Sequence, residues 1–179
     1  MRKLFWQMMV SLDGFMEGPN RELDWHVAEE DFARYVADML GSIDGILLGR
    51  VTYQMFADYW PSSSDPEAAA MNALPKLVFS RTLDRVDWGN SRLVKGDIAA
   101  EVARLKEQPG KDLALFGSAN LASTFMRLGL IDEYRILVNP VVLGEGHPMF
   151  QGVRKKTSLK LASTRTLREG VVVLSYRPV

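Results

Sequence analysis

Apolar residues follow two rhythms that alternate along the first two-thirds of the chain. KLFWQMMV (3–10) is a short, almost continuous run of large apolar side chains, which predicts a buried strand ended by Ser11-Leu12-Asp13-Gly14. A loop follows through Gly18-Pro19-Asn20. Phe32, Tyr35, Val36, Met39 and Leu40 then recur at helical spacing, predicting a core-facing helix over 29–40 that Gly41 stops. GILL (45–48) is a second buried strand, Gly49-Arg50 a turn, and 51–59 a helix that ends before Pro61. PSSSDPE (61–67) has the composition of a surface loop. Strands are predicted over 76–80, 92–95 and 113–116, with helices over 98–107, closed by Pro109-Gly110, and 120–128. Beyond that point the rhythm changes. Residues 133–142, 159–168 and 171–176 are β-rich, with Glu169-Gly170 at the tip of a closing hairpin. Strand–helix alternation followed by strands alone predicts an α/β fold, with a mostly parallel sheet, helices on both faces and antiparallel strands at the end. The 179 residues show no internal repeat and fit one domain, 1–179.

Charge adds no overall field, because 22 basic and 22 acidic residues cancel. Nucleic acid and anionic membrane surfaces are therefore not expected partners, and any bound anion must be held by local groups. No apolar run approaches the ~20 residues that span a bilayer. The N-terminus MRKLFWQMMVSLDG turns polar too soon for a secretory signal, so a cytoplasmic protein is expected. The absence of cysteine removes disulfides, thiolate nucleophiles and cysteine-bound zinc. His26 and His147 are too few for a multi-histidine metal site, and no G-x-S-x-G elbow serves them as a nucleophile. Chemistry here is expected to belong to a borrowed cofactor acting on a small molecule.

Two strand-to-helix turns and a third strand end have the composition to hold phosphates. In LLGRVTY (47–53), Gly49 permits close backbone approach, Arg50 offers a fork of donors and Thr52 a hydroxyl beside a helix N-terminus. In LFGSANLASTF (115–125), Gly117, Ser118, Ala119 and Asn120 join a strand to a helix whose first amides have no partners within the helix. VFSRTL (78–83) adds Ser80 and Arg81 after another strand. Each feature also has a plain structural explanation: a glycine turn, a cap or a solvated arginine. Turns at the carboxyl ends of strands in an open α/β sheet share one edge, where an extended ligand with two anionic ends, such as NADP, would meet all three. The G-x-G-x-x-G fingerprint is absent, which points to another dinucleotide scaffold.

The order SLDG, LGRVTY, FSR, FGSANLASTFMRLGLIDEY and PVVLGEG along the whole chain resembles the dihydrofolate reductase superfamily. Within it the chain is most similar to the branch containing the reductase domain of bacterial riboflavin biosynthesis. The resemblance implies a dihydrofolate-reductase-like, eight-stranded mixed sheet with NADPH across the strand ends, and a homodimer. It also implies that Gly49, Arg50 and Thr52 contact cofactor phosphates, that Ser80 and Arg81 favour the 2′-phosphate, and that Gly117, Ser118, Ala119 and Asn120 hold the pyrophosphate. Residues 11–17 would cover the nicotinamide, with Gly14 and Gly18 as hinges.

Hydride transfer to a C=N or C=O bond needs a proton on the neighbouring heteroatom, and Asp13, Glu30 and Asp31 are the candidate acids. In dihydrofolate reductases the acid lies a few residues after a Trp. Trp25 puts Glu30 and Asp31 at that distance, and helical geometry sets Asp31 beside Tyr35 while Glu30 turns to solvent. Acids in the first turn also simply stabilise the helix dipole, and Asp13 has the position of a local Asx turn. His147, after GEG, has the character of a surface turn residue near the substrate side. Trp6, Trp25 and Trp60 are either stacking platforms or core. Arg154, Lys155 and Lys156 are the one basic cluster available to a ribose-phosphate tail. The expected activity is an NADPH-dependent reduction of a pyrimidine- or pterin-like ring, including the riboflavin-pathway reduction of 5-amino-6-(5-phosphoribosylamino)uracil. A nucleotide-binding module without turnover and a true dihydrofolate reductase are the alternatives.

Overall fold

The computed structural model describes residues 1–27 and 29–179. Its apolar runs become β1 (Leu4–Val10), β3 (Ile43–Gly49), β4 (Lys76–Phe79), β5 (Ser91–Val94), β6 (Asp112–Phe116), β7 (Glu133–Val138), β9 (Leu159–Thr166) and β10 (Val172–Pro178). They form one eight-stranded sheet in the order β5-β4-β3-β6-β1-β7-β10-β9. The pairs from β5 through β7 are parallel, and β10 runs antiparallel to both neighbours. Two shorter strands, β2 (Phe15–Glu17) and β8 (His147–Pro148), pair as a separate ribbon.

Alternation along the strands sorts the core onto two faces. Trp6, Met8, Leu115 and Tyr134 pack with α4 (Ile98–Glu107) and α5 (Ala119–Arg127). Phe5, Ile46, Leu48 and Phe116 pack on the opposite face with α1 (Glu30–Gly41), α2 (Arg50–Tyr59) and α3 (Ala68–Ala73). The expected α/β sheet with helices on both faces is present.

Several boundaries differ from the sequence expectation for identifiable reasons. The strand predicted over 133–142 stops at Val138 because Pro140 has no N–H to pair and the Asn139 side chain turns inward, donating to Val10 O and Leu137 O. Gly41 belongs to α1, and the stop is made by Ser42, whose hydroxyl donates to Met39 O at 2.7 Å. Six-residue α3 and two-residue β8 were too short to show a period, and residues 60–62 form a 3-10 turn at the start of the loop expected over 61–67.

Candidate functional site

Parallel strands deliver their carboxyl ends to one edge, and with them the residues 11–14, 49–52, 80–83, 117–120 and 139–146. Leu48 pairs with Phe116, so the residues that follow, Gly49 at the end of β3 and Gly117 just past β6, meet side by side. A Cβ on Gly49 would come within 2.9 Å of Ser118 Cβ, and one on Gly117 within 2.9 Å of Thr52 Oγ1. Each glycine is thus required by the other turn. Gly117 (φ +57°) and Ser118 (φ +51°) are both left-handed, an uncommon pair that turns the backbone sharply before α5.

Trp6 completes this turn. Its indole Nε1 donates to Gly117 O at 3.2 Å, drawing the carbonyl inward. In a trans peptide the Ser118 N–H then points the opposite way, toward the open edge. Trp6 is buried at 1% exposure, so it acts as core and as support for the turn rather than as a stacking platform.

The starts of α2, α4 and α5 on this edge are not alike. Asp97 caps α4, accepting from Ala99 N and Ala100 N at 2.8 and 3.2 Å. Neither Gly49 at α2 nor Ser118 at α5 makes a side-chain cap. Two adjacent helices therefore present uncapped amides and the positive ends of their dipoles at one place, a donor set suited to a pyrophosphate. Thr52 is buried behind the turns, and Asn120 follows Ala119 in the first turn of α5. Arg50 is exposed and donates to Gln54 Oε1 at 3.2 Å. Ser80 Oγ accepts from Thr82 N and Leu83 N, shaping the turn on which Arg81 sits exposed, with no ion pair among the described residues.

The three candidate acids are all engaged, Glu30 in an exposed ion pair with Arg34 at 2.8 Å. Asp13 accepts from the Ser11 hydroxyl at 2.6 Å, from Gly144 N at 2.8 Å and from Leu143 N at 3.2 Å. Those bonds, the Ser11 hydroxyl foremost, hold its carboxyl below the usual range, so Asp13 stays ionised and ties the 11–14 turn to the 143–144 turn. Residues 11–17 are fastened rather than free: Met149 N donates to Gly14 O at 3.1 Å, and His147 Nδ1 lies 3.1 Å from Gly18 O and 3.2 Å from Glu17 Oε1.

Asp31 is half-sheltered beside Tyr35 while Glu30 faces solvent, as helical geometry requires. Asp31 N donates to Glu169 Oε1 at 2.9 Å, and Arg168 N donates to Asp31 Oδ2 at 3.2 Å. The hairpin tip and the helix start cap each other reciprocally, a capping box built across 137 residues of sequence. Arg34 sits 3.2 Å from the other oxygen. Glu169 and Arg168 escaped sequence reasoning because the partner of a helix cap is sought within a few residues, whereas here it arrives from the far hairpin.

A concavity of about 990 Å³ lies along α1 and α3, lined mainly by alanine, leucine and proline and also by Glu30 and Arg34. Among the described residues there is no cluster of metal-ligating side chains and no helix long and apolar enough to cross a membrane.

The RibD C-terminal domain model matches residues 2–173. The uncharacterized protein YyaP of Bacillus subtilis is 40% identical over 98% of this chain and 94% of its own length. Among solved structures, a protein of Shewanella sp. PV-4 whose name connects it with riboflavin biosynthesis superposes with a TM-score of 0.81 at 24% identity, covering 99% of both chains. A Thermotoga maritima diaminohydroxyphosphoribosylaminopyrimidine deaminase/5-amino-6-(5-phosphoribosylamino)uracil reductase gives 0.72 at 14% identity, with 99% of this chain covering 57% of that one. Dihydrofolate reductase of Enterococcus faecalis, complexed with NADP(H), gives 0.66 at 11% identity over 98% and 96% of the two chains. The sheet order, the paired glycine turns and the match over residues 2–173 agree, and the chain belongs to the RibD C-terminal domain family, on a dihydrofolate-reductase-like fold.

Proposed function

We infer that this protein is an NADPH-dependent reductase of a planar pyrimidine- or pterin-like heterocycle. The observation that carries the reading is the pair of uncapped helix N-termini locked together by Gly49 and Gly117. Bound there, NADPH supplies the hydride. The amides of Ser118, Ala119 and Asn120 hold the pyrophosphate, Gly49, Arg50 and Thr52 the neighbouring phosphate oxygens, and Ser80 with Arg81 the 2′-phosphate. Asp13 positions the 11–17 loop over the ring that reacts, and excludes water from it. A water held by Asp31 delivers the proton to the heteroatom and takes its replacement from solvent. The riboflavin-pathway substrate named for the Thermotoga protein fits this chemistry.

Fluorescence titration of the tryptophans with NADPH and NADH tests it. NADPH should bind at least about tenfold tighter than NADH, and Arg81→Ala should remove most of that preference. No binding of either nucleotide overturns the reading. A module that binds nucleotide without turnover has its own supporting observation, the full engagement of both carboxylates. It predicts NADPH binding with no reduction of any pyrimidine or pterin.

The same reading includes a homodimer. The register Trp6, Tyr134, Tyr176, Leu161 draws an apolar row across β1, β7, β10 and β9 on the α5 face, and the row ends on uncovered Leu161, 49% exposed. Light scattering should give twice the 20.1 kDa chain mass, and a monomer at micromolar concentration would remove the dimer from the proposal.

A further inference from the structure

A polar row crosses the other face of the same strands. The pairings Gln7↔Arg135, Arg135↔Ser175 and Ser175↔Ser163 carry it through β1, β7, β10 and β9, on the face that holds α1. The adjacent row, Met9, Leu137, Val173 and Arg165, is apolar until its last member. The row runs out to the solvent-exposed edge strand β9, so it sets hydrogen-bonding groups side by side within reach of a dissolved ligand.

These side chains line an open concavity of about 230 Å³, formed by Tyr35, Glu133, Arg135, Ser175 and the exposed Ser163 and Arg165 over a floor of Val173. Ser175 is 8% exposed and lines the concavity. Arg135 lies with its guanidinium 3.6 Å above the Phe5 ring and spends its Nε on Glu133 Oε1 at 2.7 Å, so its terminal nitrogens have no partner among the described residues. Arg165, above the Tyr35 ring at 5.9 Å, makes no ion pair or side-chain hydrogen bond among them. Glu133 is the one carboxylate lining the cavity, and it is met by Arg177 at 3.2 Å as well as by Arg135. Arg165 thus has no ion-pair partner among the described residues, and Arg135 keeps its two terminal nitrogens outside its bond to Glu133. Tyr35 donates its hydroxyl to Gln7 Oε1 at 2.9 Å and serves as a wall.

We propose that this cavity is a binding site for a phosphate group, either inorganic phosphate or a phosphate monoester. Opposite residues on paired strands stand about 5 Å apart, so the Arg135, Ser175 and Ser163 donors and the neighbouring Arg165 converge on one small oxyanion. A dianion with several acceptor oxygens matches two guanidinium forks and two hydroxyls better than a halide or a single carboxylate does. The sheet order puts β7, β10 and β9 on the opposite side of β1 from β3 and β6, so this site is separate from the glycine turns and does not depend on what they bind.

Backbone amide shifts during titration with inorganic phosphate, and in parallel with glycerol phosphate, test the site at constant ionic strength. Saturable shifts are expected at residues 163–165 and 173–175, with affinity reduced at least about tenfold in Arg165→Gln and lost in Arg165→Glu. Arg165 is exposed, and both variants should fold as the parent does. Tighter binding of glycerol phosphate identifies a monoester as the ligand, and tighter binding of inorganic phosphate identifies the free ion. Shifts confined to 49–52 and 117–120, shifts that survive Arg165→Gln, or no saturation at millimolar phosphate each overturn the proposal.

Discussion

Gly117→Ala is expected to weaken NADPH binding by about 100-fold and to lower the unfolding free energy by about 2 kcal/mol. A side chain at φ +57° carries the left-handed penalty by itself, and its Cβ would also stand 2.9 Å from Thr52 Oγ1 and 3.1 Å from Thr52 Cγ2. Thr52 is buried in the first turn of α2 and has nowhere to swing. The strain is relieved only by separating the starts of α2 and α5, or by rotating the peptide that Trp6 holds, and either movement re-aims the amides proposed to hold the cofactor. Losing two charge-assisted bonds of about 1.5 kcal/mol each gives the stated affinity change. Gly129→Ala is the control. Gly129 has φ +66°, and a Cβ added there would meet no heavy atom within 4 Å, so the substitution should cost about 1 kcal/mol and leave NADPH binding unchanged. Ser118→Gly should gain up to about 1 kcal/mol by relieving the adjacent left-handed residue. Denaturant titration and tryptophan quenching read both quantities, and wild-type NADPH affinity in Gly117→Ala would show that the cofactor does not use this turn.

The sheet and its helices were legible because apolar period alone separates buried strands from amphipathic helices. Order along the chain then restricts how parallel strands connect. Strand ends were less so. Nothing local in the 133–142 run marks Val138 as its end, since Asn139 stops it by a side chain aimed back at Val10 and Leu137. At the candidate site, Gly49 and Gly117 stood out as turn residues. Their mutual fit did not, because it depends on β3 lying next to β6, a pairing between residues 68 apart in sequence. The same limit hid the role of Trp6, which looked like core and is core, yet also supports the turn through its one polar atom. Asp31 was placed correctly on its helix, but whether a first-turn acid serves chemistry or structure depends on what faces it, and the facing groups come from residues 168–169. Sequence period fixes which side of an element is buried; the identity of the neighbour across the gap is a property of topology.

Lys76→Met should lower the unfolding free energy by about 3 kcal/mol, equivalent to roughly 10 °C in Tm for a chain of this size. Lys76 opens β4 at 1% exposure, and its ammonium donates to Met71 O, Asn72 O and Leu74 O at 2.9, 3.0 and 2.7 Å. These are carbonyls at the end of α3, a six-residue helix too short to be stable without such a partner. Trp88 covers the ammonium, with its ring centre 4.2 Å away, and fixes Asn72 through its own Nε1 at 2.7 Å. Methionine fills the same volume but leaves three buried acceptors without donors. Burial lowers the Lys76 pKa from 10.5 to about 8, which sets the sign of a second effect. Below pH 8 folded and unfolded chains both carry the proton, and Lys76 adds no pH dependence. Above it the folded chain releases a proton that the unfolded chain keeps, so this group makes stability rise with pH until the unfolded lysine also titrates near 10.5. Tyr35 acts oppositely above pH 10, because burial raises its pKa to about 12 and the unfolded chain ionises first. The window from pH 8 to 9.5 therefore isolates Lys76. Denaturant unfolding across it should show an upward contribution in the parent protein that Lys76→Met lacks, and an equal slope in both would place the titrating proton on another group.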